Sequence, residues 1–159
     1  MPNRPQTGAR KIRVVLVDDE PLVRKGLALL LGGETDLVVC GAAENERQAL
    51  EQIPALKPDL AVVDSGFKAI ASFDLIKQLR QRCPKLKILV FSMHDRAHYV
   101  AGAFAAGAHG YVTKDHGTEE LLEAIRWVMD GQFYLSEEMR AWMPSLLPQS
   151  ALRHGRRLH

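Results

Sequence analysis

Four acids, a hydroxyl and an amine stand where short apolar runs end, and their types suit one kind of chemistry. Ile12 to Val17 (IRVVLV) stops at Asp18, Asp19 and Glu20, and Leu60 to Val63 stops at Asp64. The run from Lys87 (KILVFS) ends in Ser92, and the stretch from His109 to Thr113 is followed by Lys114. Adjacent carboxylates repel, so ionising all of them is costly unless a cation is shared among them. Hard oxygen ligands of this kind suit Mg²⁺, which commonly takes one or two carboxylates and keeps several waters. A carboxylate held beside such an ion can attack a phosphoryl group and form an aspartyl phosphate. Mg²⁺ and Lys114 would neutralise the equatorial oxygens of the transferred group, while Ser92 supplies a hydrogen bond. One such residue alone says nothing, since Asp18 by itself reads as a helix N-cap, Ser92 as a turn hydroxyl and Lys114 as a solvated loop lysine. Taken together, the set points to phosphoryl transfer.

These side chains meet only if the intervening chain returns repeatedly to one rim. Short apolar runs alternate with longer amphipathic ones, the pattern of strands and helices in succession. After the first run, Pro21 suits a first helical turn, and Leu22, Val23, Leu27, Leu30 and Leu31 recur at helical spacing until Gly32-Gly33. Strands are predicted at 37–43, 60–63, 87–92 and 109–113, with helices at 45–55, near 71–82, near 96–106 and at 118–130. Five strands, each followed by a helix, predict an α/β fold with a doubly wound five-stranded parallel sheet, covered on both faces by five helices. Functional groups then collect at the carboxyl ends of the strands, near the point where strand order reverses. Beyond Gly131, FYLSEEMRAWMPSLL reads as a short terminal helix or the start of a linker.

Composition narrows the class further. The 159 residues are 47% hydrophobic and 25% charged, an ordinary globular balance with room for one domain and a tail. No apolar run reaches the length of a membrane span, and the polar start MPNRPQTGARK lacks the features of a signal peptide. Cys40 and Cys83, far apart and outside any CxxC pattern, suit a reduced cytoplasmic compartment. A formal charge of +2 hides an asymmetry: three arginines and a lysine fall in residues 1–13 and three arginines in 151–159, with no acid in either stretch. The body between them is acidic.

The segments VVLVDDEPLVRKGL, PDLAVVDSG, KILVFSMHD, AGAHGYVTKD and GQFYLSEEM together resemble the response-regulator receiver domain of two-component signalling, most like its NarL/FixJ type. The resemblance covers about residues 11–142 and implies a flavodoxin-like strand order 2-1-3-4-5. It implies that Asp64 is the phospho-acceptor and that Asp18 and Asp19, with Asp64 and the backbone carbonyl of Gly66, hold Mg²⁺. Lys114 would pair with the phosphoryl oxygens, and Ser92 with Tyr111 would form a switch in which the hydroxyl moves to the phosphoryl group and the ring turns inward. The organisation expected is a disordered basic arm over 1–10, the receiver over 11–131, and a short helix with a linker-like tail over 132–159. The partners implied are a sensor histidine kinase and a homodimer through the first and last helices. DNA would be reached only through an output domain not present in this chain, and no membrane is involved. Residues 143–159 are too few for a helix-turn-helix unit, leaving a stand-alone receiver and a truncated regulator both open.

The departures from the family pattern cluster after the acceptor. Where the family usually has Leu-x-Met-Pro and a later glycine, this chain has Ser65-Gly66-Phe67-Lys68 and Ser72, and Lys114 is followed by Asp115 instead of proline. A degenerate receiver acting as a phosphorylation-independent binding or dimerisation module is therefore the second reading. A metabolic enzyme is not expected: aspartate-nucleophile phosphatases place a second acid where Gly66 stands, and no GxGxxG follows the first strand. Only self-phosphorylation and slow self-dephosphorylation are expected, because Gly66 has no side chain to orient water. His94, two residues beyond Ser92, is placed to influence that rate. With His98 at i+4 it also has metal-ligand spacing, although a solvated helix start is the simpler reading.

Overall fold

The computed structural model describes residues 10–64 and 69–142. Among these residues six strands alternate with six α-helices, a 3-10 turn (Lys114–His116) preceding the fifth: β1 (Ile12–Val17), α1 (Pro21–Gly32), β2 (Leu37–Ala43), α2 (Glu46–Leu56), β3 (Leu60–Val63), α3 (Ala69–Arg82), β4 (Lys87–Ser92), α4 (Ala97–Ala106), β5 (Gly110–Thr113), α5 (Gly117–Met129), β6 (Tyr134–Leu135) and α6 (Glu137–Trp142). All strand pairs are parallel, in the order β2-β1-β3-β4-β5-β6. The five strands read from the sequence form with the expected doubly wound order, their bounds shifted by at most one residue.

Burial on both faces explains the near-continuous apolar strands. Side chains alternate along each strand. Val15, Val17, Ala61, Val63, Ile88, Val90 and Tyr111 pack with α2, α3 and α4. Val14, Leu16, Leu60, Val62, Leu89, Phe91 and Val112 pack with Leu27 and Leu31 of α1 and with Leu121, Ala124, Ile125 and Val128 of α5. The helices therefore sit on opposite faces, and the loops carrying the polar residues are left at the strands' carboxyl rim.

One element departs from the five-strand expectation. Past α5, Gly131 takes a positive φ of 88° and turns the chain back, so that Tyr134 and Leu135 add a sixth strand beside Gly110 and Tyr111. Leu135 and Met139 enter the core that holds Tyr111, and Glu120 of α5 accepts hydrogen bonds from Tyr134 Oη (3.0 Å) and Ser136 Oγ (3.2 Å). A two-residue strand is too short to display any periodicity. Its pairing is decided by the free edge of β5, and that edge exists only once the sheet has formed.

Arg10 is clasped by Asp59 through two bonds of 2.8 and 3.1 Å; the rest of the expected basic arm, residues 1–9, lies outside the described residues, as do residues 143–159 of the tail. Cys40 and Cys83 are free thiols. Among the described residues no helix is long and apolar enough to cross a membrane.

Candidate functional site

The acidic site follows from sheet register. The chain passes from β1 to β2 on one side and then returns to place β3 on the other side of β1, so strand order reverses between β1 and β3. Val17 and Val63 are register partners, so the next residues, Asp18 and Asp64, leave neighbouring strands side by side, strands lying about 4.8 Å apart. The Asp64 N–H donates to Val17 O at 2.9 Å and the Asp18 N–H to Ala43 O at 3.0 Å, so the ladder continues to the rim.

The side chains at this rim are tightly held. Asp18 is only 3% exposed; its Oδ1 accepts from the Glu20 N–H at 2.9 Å, while its buried Oδ2 has no hydrogen-bond partner. Asp18 therefore does not cap α1; it closes a turn ahead of the Glu20 cap position. Lys114 comes from the end of β5, two strands from β3 and three from β1, its ammonium 5.6 Å from the Phe91 ring centre, and reaches Asp64 Oδ2 at 3.2 Å and Asp18 Oδ2 at 3.8 Å. Burial, reinforced by the Asp64 charge and opposed by Glu20 N–H and Lys114, pushes the Asp18 carboxyl up to about 6. One lysine does not fully compensate two carboxylates in this setting.

Asp18, Asp19 and Asp64 each offer an oxygen within 4.8 Å of the others, and among the described residues no other group of three His, Cys, Asp or Glu side chains does so. A cluster of three carboxylates is a donor set that suits Mg²⁺, a hard cation bound through oxygen. The Asp18 Oδ2 without a hydrogen bond and the adjoining cavity of about 40 Å³, lined by the three acids with Glu44, Asn45, Glu46 and Ser72, fit a small hydrated cation. Gly66 lies outside the described residues, so the expected backbone carbonyl ligand does too.

Ser92 and Tyr111 converge on the β4–α4 loop. Ser92 is fully buried and its Oγ accepts from the His94 N–H at 3.0 Å; Tyr111, 1% exposed, donates from its hydroxyl to His94 O at 2.6 Å. The Tyr111 ring is thus inside the fold, bonded to the loop that Ser92 also holds. The rings of His94 and His98 both pack against Tyr99 at 4.2 Å, consistent with a helix-start role. Trp127 packs edge-on to Tyr134. Sequence reasoning missed Arg24, whose Nη1 donates to the Asp18 backbone carbonyl at 2.6 Å, because nothing local marks a helical arginine as belonging to a rim.

The response regulator receiver domain family matches residues 14–126. The chain belongs to that family. Similar curated proteins are regulators: the transcriptional activator protein ExaE of Pseudomonas putida is 37% identical over 127 residues, 79% of this chain and 59% of that protein. The nitrate/nitrite response regulator protein NarL of Escherichia coli (strain K12) is 32% identical over 126 residues, 79% of this chain and 58% of that protein. A LuxR-family two-component response regulator from Aurantimonas sp. SI85-9A1 superposes with a TM-score of 0.79 at 30% identity, covering 85% of this chain and 96% of that one. The chain spans 55–59% of the length of such curated relatives. As a receiver domain carrying the Asp18–Asp19–Asp64 triad and Lys114, it is not a conventional enzyme.

Proposed function

We propose that this receiver accepts a phosphoryl group on Asp64 from a sensor histidine kinase and passes the event to a protein surface that controls output, transcription in the longer regulators it is similar to. The observation that carries the reading is the buried Asp18 Oδ2, without a hydrogen bond, beside Asp64 with Lys114 spanning both. Asp18, Asp19, Asp64 and the Gly66 carbonyl would hold Mg²⁺, which when bound neutralises charge on the incoming phosphoryl oxygens. A carboxylate oxygen of Asp64 forms the bond to phosphorus as the bond from phosphorus to the donor imidazole nitrogen breaks. The electron pair stays on that nitrogen, and the ring, protonated on its other nitrogen, leaves as neutral imidazole. Lys114 already lies 3.2 Å from the nucleophile and supplies a cation to the product phosphoryl group. Ser92 then turns toward the phosphoryl oxygens. Because its Oγ and the Tyr111 hydroxyl both bond the His94 backbone, moving one hydroxyl perturbs the loop that holds the other.

In this reading the domain acts in the cytoplasm, as a homodimer when active, and DNA is contacted by an output domain of a longer protein. The test is incubation with Mg²⁺ and a small phosphodonor, or with beryllofluoride, comparing wild type with Asp64→Ala. A Mg²⁺-dependent mass gain or spectral change in wild type alone is expected. Its absence from wild type would leave a phosphorylation-independent binding module as the function.

A further inference from the structure

Arg24 lies early in α1, six residues beyond Asp18. Its backbone N–H donates to Glu20 O at 3.0 Å and so begins the helix. Its guanidinium turns back: Nη1 donates to the Asp18 carbonyl at 2.6 Å, a short charge-assisted bond, and Nη2 lies 3.9 Å from Glu44 Oε1 in the β2–α2 loop. Asp18 is thereby held at two points, its Oδ1 on the Glu20 N–H and its carbonyl on Arg24, which leaves Oδ2 facing Lys114 and Asp64. Glu44 lines the same small cavity as the three acids, so Arg24 joins two of the loops that wall it.

We propose that Arg24 is a positioning residue for the divalent-cation site, fixing the backbone of Asp18 so that Oδ2 stays aimed at the ion shared with Asp19 and Asp64. The inference rests on the receiver reading above. Plain electrostatics gives the opposite sign, since a guanidinium near the acids repels a divalent cation and its removal would tighten binding. Positioning wins in this geometry for two reasons. The arginine's charge is partly countered by Glu44, whose Oε1 lies 3.9 Å from Nη2. Its short bond goes to the Asp18 carbonyl, so it need not compete with the cation for that carboxylate.

The experiment is a Mg²⁺ titration of the full chain followed by two-dimensional amide NMR, in wild type, Arg24→Met and Arg24→Lys. Arg24→Met is expected to weaken Mg²⁺ binding about ten-fold, the loss of about 1.4 kcal/mol. Arg24→Lys is expected to recover part of it, because an ammonium can still donate to the carbonyl. Shifts in the metal-free spectra should be confined to the β1–α1 turn and the β2–α2 loop. If Arg24→Met does not give a folded spectrum, Arg24→Lys decides: weaker binding than wild type supports the role, and equal or tighter binding overturns it. Equal or tighter binding in a folded Arg24→Met, with wild type binding Mg²⁺, removes Arg24 from the site and leaves the receiver reading standing. A wild-type chain that binds no Mg²⁺ removes both.

Discussion

Replacing Asp18 by asparagine should stabilise the metal-free domain at neutral pH. The Asp18 side chain is 2% exposed and its carboxyl is pushed from the usual 3.8 to about 6, chiefly by burial. A folded-state pKa raised above the unfolded one means that the folded chain binds the extra proton. The associated stability is complete below about pH 4 and is lost as pH rises through 6. Raising the carboxyl from 3.8 to about 6 makes the ionised carboxylate cost about 3 kcal/mol at pH 7. The replacement amide carries no charge, can keep accepting from the Glu20 N–H, and puts a donor beside Asp64 in place of an oxygen with no hydrogen bond. For a domain of this size, about 3 kcal/mol corresponds to roughly 10 °C in melting temperature. The assay is thermal unfolding of wild type and Asp18→Asn in a chelator at pH 7 and pH 4, then at pH 7 with saturating Mg²⁺. The variant should melt higher at pH 7, the gap should shrink at pH 4, and Mg²⁺ should raise wild type much more than the variant. A variant that melts at or below wild type at pH 7 without metal, or a gap independent of pH, would refute the idea that Asp18 is a strained carboxylate awaiting a cation.

Other outcomes follow from the packing. His109 Nδ1 accepts from the Ile88 N–H at 3.1 Å, and burial, with the charges of Lys87 and Arg80, lowers its pKa to about 4. Its stabilising contribution is therefore complete above about pH 6.5 and lost as pH falls through 4, so its ring should stay neutral in an NMR titration at pH 5. His109→Leu should cost about 1–3 kcal/mol in urea unfolding at pH 7, by stranding that amide. A Cβ at Gly110 would lie 2.6 Å from Leu89 Cδ1 and 3.1 Å from Val128 Cγ2, so Gly110→Ala should cost about 1–3 kcal/mol in the same assay. Ending the chain at Gly131 removes Tyr134, Leu135 and Met139, each at most 3% exposed. At about 1.5–3 kcal/mol per buried side chain the loss is on the order of 5 kcal/mol, and the bared β5 edge should promote self-association visible by size-exclusion chromatography.

Much of this was written in the sequence because the strands are buried on both faces. A parallel strand between two helical layers must be apolar throughout, so IRVVLV, LAVV and KILVFS announce themselves, and the polar residue that ends each run marks the rim. Asp18, Asp64, Ser92 and Lys114 were legible for that reason, and the receiver resemblance added Tyr111 and Gly66. Position in the chain could not say that β3 returns to the other side of β1, yet that crossover alone sets Asp18 beside Asp64. Nor could it say that Asp18 would be stripped of water and left with one unbonded oxygen, since burial is the joint result of loops from β1, β2 and β3. Arg24 and the sixth strand were hidden for the same reason. A guanidinium reaching back to a carbonyl six residues away, and a two-residue strand pairing with an edge built from distant segments, have no local signature. Residue types determined which chemistry the rim can do; the order of the strands decided which oxygens face one another there.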